Sequence, residues 1–249
     1  MRMKILISGA LGHMGRAVAE QAAAAGAEIV CGVDMTAADG AFPVYASFGD
    51  VTETVDAVVD FSKPGSLEGL LAFAKARQIP CVLATTGYTD EQLAAIDAAA
   101  GEIAIFRSAN MSIGVALLRM LCRKAAEVLG DGFDVEIVEA HHNRKVDAPS
   151  GTAMMLYDTI KDAYDEPRYA VNGRGGRDCK RQHGEIGMHV LRGGTVTGEH
   201  EVCFFGQSER VKISHSAENR SIFAVGALRA AAFLQGKAPG LYNMDDMLA

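Results

Sequence analysis

Lys4-Ile-Leu-Ile-Ser-Gly9-Ala10-Leu11-Gly12-His13-Met14-Gly15-Arg16 runs from a short apolar strand straight into three glycines at three-residue intervals. The Ala-rich segment from about Met14 to Ala25 reads as a helix, stopped by Gly26 as a natural C′ residue. Glu28 to Val33 reads as a second strand, ending at Asp34. Strand, glycine turn, helix and strand make a β-α-β unit. A glycine-rich turn that opens such a helix lets the backbone approach a pyrophosphate, whose charge then sits at the helix N-terminus. Gly9, Ala10, Leu11, Gly12, His13 and Met14 are therefore the candidate phosphate turn. Asp34, 34 − 15 = 19 residues after Gly15, is placed to accept hydrogen bonds from a ribose diol. The spacing is G-x-x-G-x-x-G. The general G-x-G-x-x-G fingerprint needs glycine where Leu11 and Met14 stand, so the match to it is partial.

Downstream, the alternation continues. Strand-like runs at Ala57 to Phe61, Cys81 to Ala84 and Ile103 to Phe106 are separated by helical segments at Ser66 to Arg77 and Asp90 to Ala100. This pattern predicts an α/β fold with a Rossmann-like doubly wound parallel sheet. Ligands of such sheets sit outside the strand C-termini. The small polar clusters Asp60-Phe-Ser, Ala84-Thr85-Thr86-Gly and Ser108-Ala109-Asn110-Met111 all fall there.

Beyond Ser112 the pattern changes. A long helix, about Ile113 to Leu129, precedes a strand from Val135 to Val138 and the polar segment Glu139-Ala-His141-His142-Asn-Arg-Lys145-Val-Asp147-Ala-Pro-Ser150-Gly151-Thr152. A helix then runs from Thr152 to Ala163, with Ser150 as its N-cap candidate. Two imidazoles, an ammonium and the free N–H groups of a helix start suit a small carboxylated molecule that exchanges a proton. Adjacent on an extended chain, His141 and His142 would point to opposite sides, which disfavours joint chelation and favours different roles. Asp165 to His183, which carries Arg174, Arg177, Lys180 and Arg181, is expected to be a solvated mobile loop. Runs at Gly184 to Leu191, Thr195 to Phe205 and Glu209 to Ser214 read as strands. Gly193-Gly194 and Gly206-Gln-Ser are expected as hairpin turns between them. The sum is a second α+β domain on an open mixed sheet, mainly antiparallel. Ser221 to Leu234 is a last apolar helix.

Composition limits the function. The net charge of 24 − 31 = −7 argues against a nucleic-acid binder, which needs a dominant basic face. Five scattered cysteines without CxxC spacing suit reduced thiols rather than disulfides or a zinc site. No apolar run approaches the ~20 residues that span a bilayer, and the opening residues enter a strand too soon for a signal peptide. A soluble cytoplasmic protein is expected. His183, His189, His200 and His215 lack carboxylates at ligand spacing, so no metal is expected and hydrogen-bonded or solvated imidazoles are the default. G-x-S-x-G and a Cys–His dyad are absent, so covalent acyl chemistry has no support.

His141-His142, Lys145, Asp147 and Pro149-Ser-Gly-Thr152 resemble the signature of the dihydrodipicolinate reductase family, and the likeness extends over nearly the whole chain. The loose glycine turn with Met14-Gly15-Arg16 is shared with that family. The resemblance implies NAD(P)H-dependent reduction of 4-hydroxy-tetrahydrodipicolinate to tetrahydrodipicolinate, in diaminopimelate and lysine biosynthesis. It assigns His141 as general acid/base, Lys145 as proton donor, and His142, Gly151 and Thr152 as substrate contacts. The residues alone do not decide between His141 and Lys145 as the immediate donor. It also puts Ala84, Thr85, Thr86, Ser108, Ala109, Asn110 and Met111 on the nicotinamide side. It implies a discontinuous dinucleotide-binding domain (1–112 plus 220–249) around a substrate-binding and oligomerisation domain (113–219). NADH is expected to be preferred, because Asp34 is followed by Met35 where some relatives carry Arg; Arg16 could still serve NADPH. A homotetramer is expected, both from the family and from a sheet bearing Ile186, Val190, Val202 and Phe204 that one small domain can hardly cover. Two other readings are a related dehydrogenase acting on another amino or imino acid, and a non-catalytic nucleotide sensor. The sensor reading predicts a degraded proton-donor segment.

Overall fold

Strands that are apolar on both faces must be covered on both faces, and the computed structural model, which describes residues 2–249, begins with such strands. In chain order the elements are β1 (Met3–Ser8), α1 (His13–Ala22), β2 (Ala27–Val33), β3 (Val44–Tyr45), β4 (Ala57–Asp60), α2 (Leu67–Arg77), β5 (Cys81–Leu83), α3 (Asp90–Ala100) and β6 (Ala104–Arg107). There follow α4 (Ile113–Leu129), β7 (Asp134–His141), α5 (Gly151–Lys161), β8 (Tyr169–Asn172), β9 (Glu185–Arg192), β10 (Gly198–Phe205) and β11 (Arg210–Ala217). The chain closes with α6 (Ser221–Phe233), β12 (Gly240–Tyr242) and α7 (Met244–Leu248). The chain up to Ile113 forms one compact unit with Arg220–Ala249, and Gly114–Asn219 forms the other.

In the first unit seven strands lie in the order β12-β6-β5-β4-β1-β2-β3, and every pairing is parallel. Ile5, Leu6, Ile7, Ala57, Val58, Val59, Cys81, Val82 and Leu83 are completely buried. One face is packed by Leu67, Leu70, Leu71 and Ala74 of α2 and Ile96, Ala99 and Ala100 of α3. Side chains alternate across a strand, so the other face is left to α1 and α6, which pack on each other. The direction of winding reverses between β1 and β4, and a crevice opens there at the strand ends.

Two glycines fix that crevice. Gly9 has φ +80, and a Cβ on it would lie 2.7 Å from the Phe61 carbonyl oxygen. A Cβ on Gly15 would lie 2.2 Å from the Gly9 carbonyl oxygen. The first turn of α1 thus rests directly on the loop leaving β1.

In the second unit the order is β11-β10-β7-β9-β8. β10 runs antiparallel to β11 and β7, while β7–β9 and β8–β9 are parallel. The sheet is mixed, not mainly antiparallel. Gly206-Gln-Ser does join the hairpin β10–β11. Gly193-Gly194 does not form one, because β7 is inserted between β9 and β10. Tyr169–Asn172, within the stretch expected to be a solvated loop, is β8. In the same stretch Arg174 pairs with Glu185 at 2.7 Å, and Arg181 pairs with Glu136 and with Asp134.

The core of this unit lies on one sheet face, under α4 and α5. Leu118, Cys122 and Ala126 of α4 and Ala153, Leu156 and Ile160 of α5 meet Val135, Ile137, Ile186, Met188, Val202 and Phe204. Ile186, Val202 and Phe204 are fully buried under their own helices, so they do not form the uncovered apolar patch expected from the sequence. The opposite face carries Glu136 and His189, paired at 2.6 Å, with Leu191 and Phe205 exposed. No helix of the described residues is long and apolar enough to cross a membrane.

Gly15→Ala should crowd three backbone atoms, the Gly9 oxygen and the Ala10 Cα and oxygen, that have nowhere to move. We expect a loss of about 1–3 kcal/mol, read as a lower midpoint in urea or thermal denaturation, together with weaker dinucleotide binding.

Candidate functional site

The crevice at the ends of β1, β2 and β4 opens into a cavity of about 1100 Å³, lined by Gly9, Leu11, Gly12, Asp34, Met35 and Lys63 among others. The Asp34 carboxylate accepts from the Leu11 N–H at 2.8 Å and from the Met35 N–H at 2.7 Å. Each carboxylate oxygen has a second lone pair, so the group can still receive a diol. The small residues of the turn, the α1 start and an anchored carboxylate are the parts a dinucleotide requires. Deeper on the sheet Asp60 is buried and accepts from the Ser62 hydroxyl at 2.5 Å and the Tyr88 hydroxyl at 3.3 Å. Ala10 and Thr85 are buried, whereas His13, Thr86 and Ala109 are exposed and Met14 and Ala84 are half-buried. The Ser108 hydroxyl donates to the Asn110 carbonyl at 2.7 Å, and the Asn110 side-chain oxygen accepts from the Ser112 N–H at 2.9 Å. Met111 is buried.

The second unit holds the polar cluster. β7 runs to His141, three residues past the strand end expected from the sequence. Because of this extension Val135, Ile137, Glu139 and His141 share one face. The inward row therefore starts apolar and ends ionisable. Register adds the rest: His200 of β10 lies opposite Glu139, and Arg192 of β9 opposite His141. Glu139 is 1% exposed. Its two oxygens accept from both terminal nitrogens of Arg192, each at 2.9 Å. One oxygen also meets His141 Nδ1 at 2.5 Å, and the other accepts from the Ser150 N–H at 2.9 Å. Burial opposes the Glu139 charge, but the bonds from Arg192, His141 and Ser150 outweigh it and hold the carboxyl below its usual range.

Ser150 caps α5, its Oγ accepting from the Ala153 N–H at 3.2 Å and lying 3.1 Å from His200 Nε2. Gly151 at the helix start is exposed and Thr152 half-buried. With the Ala153 N–H taken by Ser150, an anion would meet this helix at its exposed first residue, Gly151. Lys145 reaches Asp147 Oδ1 at 2.8 Å, and this bond holds the Asp147 carboxyl below the usual carboxylate range. His142 is half-buried, its N–H bonded to the Val196 carbonyl at 2.7 Å. His141 and His142 stand in different surroundings, and His141 is the buried one.

Glu139, Arg192 and His200 are functional candidates that the sequence reading did not single out. Their signal is faint: charged or polar residues at inward positions of strands whose other inward residues are Val135, Ile137, Met188, Val202 and Phe204. Glu139, His141 and His200 also lie close enough to share a cation. The Arg192 guanidinium already holds both Glu139 oxygens, and it would repel one.

Residues 3–111 match the family model "Dihydrodipicolinate reductase, N-terminus", and residues 114–248 match "Dihydrodipicolinate reductase, C-terminus". The chain belongs to the dihydrodipicolinate reductase family. It is 47% identical over 249 residues to a 4-hydroxy-tetrahydrodipicolinate reductase of Caldanaerobacter subterraneus, covering 100% of this chain and 99% of that one. It is 43% identical over 250 residues to that of Clostridium tetani, covering 100% and 98%. Among solved structures, a dipicolinate-bound dihydrodipicolinate reductase from Paenisporosarcina sp. TG-14 matches with a TM-score of 0.81 at 23% identity, covering 98% of each chain. A myo-inositol dehydrogenase from Corynebacterium glutamicum matches at 0.59 and 16% identity, covering 100% of this chain and 93% of that one. At such identities the structural likeness speaks to fold alone. Membership makes the chain a pyridine-nucleotide-dependent oxidoreductase, acting at the reduction step of diaminopimelate and lysine biosynthesis.

Burial, and after it the neighbouring His141, push the His200 pKa down from 6.5 to about 4. A base whose pKa is depressed on folding is neutral in the native state, so acid favours the unfolded chain. Stability is untouched above the unfolded value and falls as pH drops from 6.5 toward 4. Over the 6.5-to-5 interval His200 should cost about 2 kcal/mol. Denaturation midpoints of wild type and His200→Gln, measured across that interval, should converge as pH falls.

Proposed function

We propose that the chain reduces 4-hydroxy-tetrahydrodipicolinate to tetrahydrodipicolinate, with the dinucleotide held by the first unit and the dicarboxylate by the second. The observation that carries this reading is the buried imidazole of His141, set beside a capped helix start whose first residues are Gly151 and Thr152. A proton donor and an anion cradle are what an unsaturated cyclic dicarboxylate needs. The bound dihydronicotinamide supplies a hydride. The substrate loses its hydroxyl as water and gains that hydride and one proton. Charge developing on the ring carbon and nitrogen must be met by an acid, and a positioned one contributes about 10²–10⁴-fold. His141 serves as the acid/base group and Lys145 as a cationic donor at the substrate. The N–H groups of Gly151 and Thr152, with His142, hold a carboxylate. To do so Lys145 exchanges its bond with Asp147 for one with the substrate.

The glycine turn from Gly9 to Met14 and Asp34 hold the cofactor in this reading. Ala84 to Thr86 and Ser108 to Met111 line its nicotinamide half. NADH is preferred. A 2′-phosphate would face the Asp34 carboxylate beside Met35, which brings no cation, while Arg16 and Lys63 keep NADPH usable. The protein works in a reducing cytoplasm, consistent with five free cysteines. It is a homotetramer with D2 symmetry, packed through the outer face of the β11-β10-β7-β9-β8 sheet, since α4 and α5 both occupy the other face.

His141→Gln should lower kcat by about 10²-fold or more with cofactor affinity nearly intact; turnover within threefold of wild type removes it from the acid/base role. Lys145→Ala should damage both KM and kcat for the dicarboxylate. NADH should exceed NADPH by about tenfold in kcat/KM, or roughly 1.4 kcal/mol, and equal efficiencies would refute the role given to Asp34 and Met35. Light scattering at micromolar concentration should give a tetramer, and a monomer would exclude the assembly. Pyridine-2,6-dicarboxylate should bind and inhibit; if it does not, a dehydrogenase acting on another imino acid is the better reading.

A further inference from the structure

We propose that Glu139, clamped by Arg192, is the positioning residue that fixes which nitrogen of His141 works. This inference rests on the acid/base role given to His141 above. An ionised carboxylate can only accept, and Glu139 is kept ionised by Arg192 and the Ser150 N–H. The nitrogen 2.5 Å from it, His141 Nδ1, must therefore carry a hydrogen. The proton that is exchanged is left to Nε2.

The surroundings of Nε2 agree. A Cβ on Gly198 would lie 3.1 Å from Nε2 and 3.4 Å from Cδ2. Glycine at 198 thus keeps a side chain from pressing on the working nitrogen. The His200 ring stands edge-on to His141, with centroids 5.2 Å apart. His200 is held neutral by burial, so it adds no charge against a protonated His141.

Glu139 cannot rotate away, because three donors from three elements hold it: Arg192 of β9, the Ser150 N–H before α5, and His141 of its own strand. Arg192 is itself tied to the Asp147 carbonyl at 2.7 Å and the Leu191 carbonyl at 2.7 Å. One carboxylate thereby sets both the tautomer of the acid and the place where α5 begins, next to Gly151 and Thr152. Outer partners of this kind orient imidazoles in many sites and govern their basicity.

A double-mutant cycle tests this. In the wild-type background Glu139→Gln should lower kcat about 10- to 100-fold, with little change in KM for NADH. In the His141→Gln background the same change should cost less than about threefold, because a residue that acts through His141 has nothing left to act on. The pH profile gives a second readout. The groups set against His141 are Glu139, Arg192 and His200, with Lys145 four residues further along the chain and paired with Asp147. Losing the carboxylate disfavours the protonated imidazole, so the alkaline fall in kcat should move to lower pH. If Glu139→Gln does not fold, Arg192→Lys, which loosens the clamp while keeping the charge, enters the same cycle. Equal losses in the two backgrounds would mean a structural role only and overturn the proposal. So would an unmoved pH profile with kcat within threefold of wild type. If His141→Gln itself leaves turnover intact, the acid/base reading fails instead, and the two failures are told apart.

Discussion

The second unit depends on keeping one carboxylate charged inside a protein. A buried Glu139 without partners would take up a proton or leave the interior, because an unpaired charge costs several kcal/mol. Here the guanidinium of Arg192, an amide N–H and an imidazole together provide its donors. Those donors come from β9, from the approach to α5 and from β7. Satisfying the charge therefore also fixes where these pieces lie relative to one another. The apolar rows of Val135, Ile137, Ile186, Met188, Val202 and Phe204 hold the sheet against α4 and α5. The proposed acid/base chemistry rests on the charged row at their end.

The first unit has a different constraint. Its crevice exists because two strand-end loops and one helix come closer than side chains permit. Gly9 approaches Phe61, and Gly15 approaches Gly9, at distances only a hydrogen can occupy. That packing aims the α1 N-terminus and the Leu11 N–H into the cavity. The Leu11 N–H, with that of Met35, anchors Asp34 at its rim. The cavity rim is mostly backbone geometry, with a single acidic side chain added.

The two units carry their functions on structures of unequal legibility. Parallel strands buried on both faces announce themselves as short apolar runs between helices, which is why β1, β2, β4, β5 and β6 and the helices between them could be read directly. The mixed sheet was harder. Its strands β9, β10 and β11 were visible as runs, but their neighbours were not. The insertion of β7 between β9 and β10 is a long-range pairing that no local turn signal encodes, and Gly193-Gly194 imitates a hairpin without forming one. β8 is only four residues long within a polar stretch, and it is held by the parallel ladder to β9 rather than by its own pattern.

By itself the sequence determined the α/β class, the glycine turn with Asp34, the segment holding His141, His142 and Lys145, and the helix start at Ser150. Each is a local pattern with a local physical cause: backbone room, side-chain period or N-cap chemistry. Only the tertiary structure decided that β7 continues to His141 and that Glu139 and His141 share its inward face. It alone brought Arg192 and His200 across from other strands. It also turned Ile186, Val202 and Phe204 into core rather than surface. The reason is that strand register is a choice among distant pairings, and a shift of one residue reverses every side chain. Residues 53 positions apart, such as Glu139 and Arg192, meet only once that choice is made.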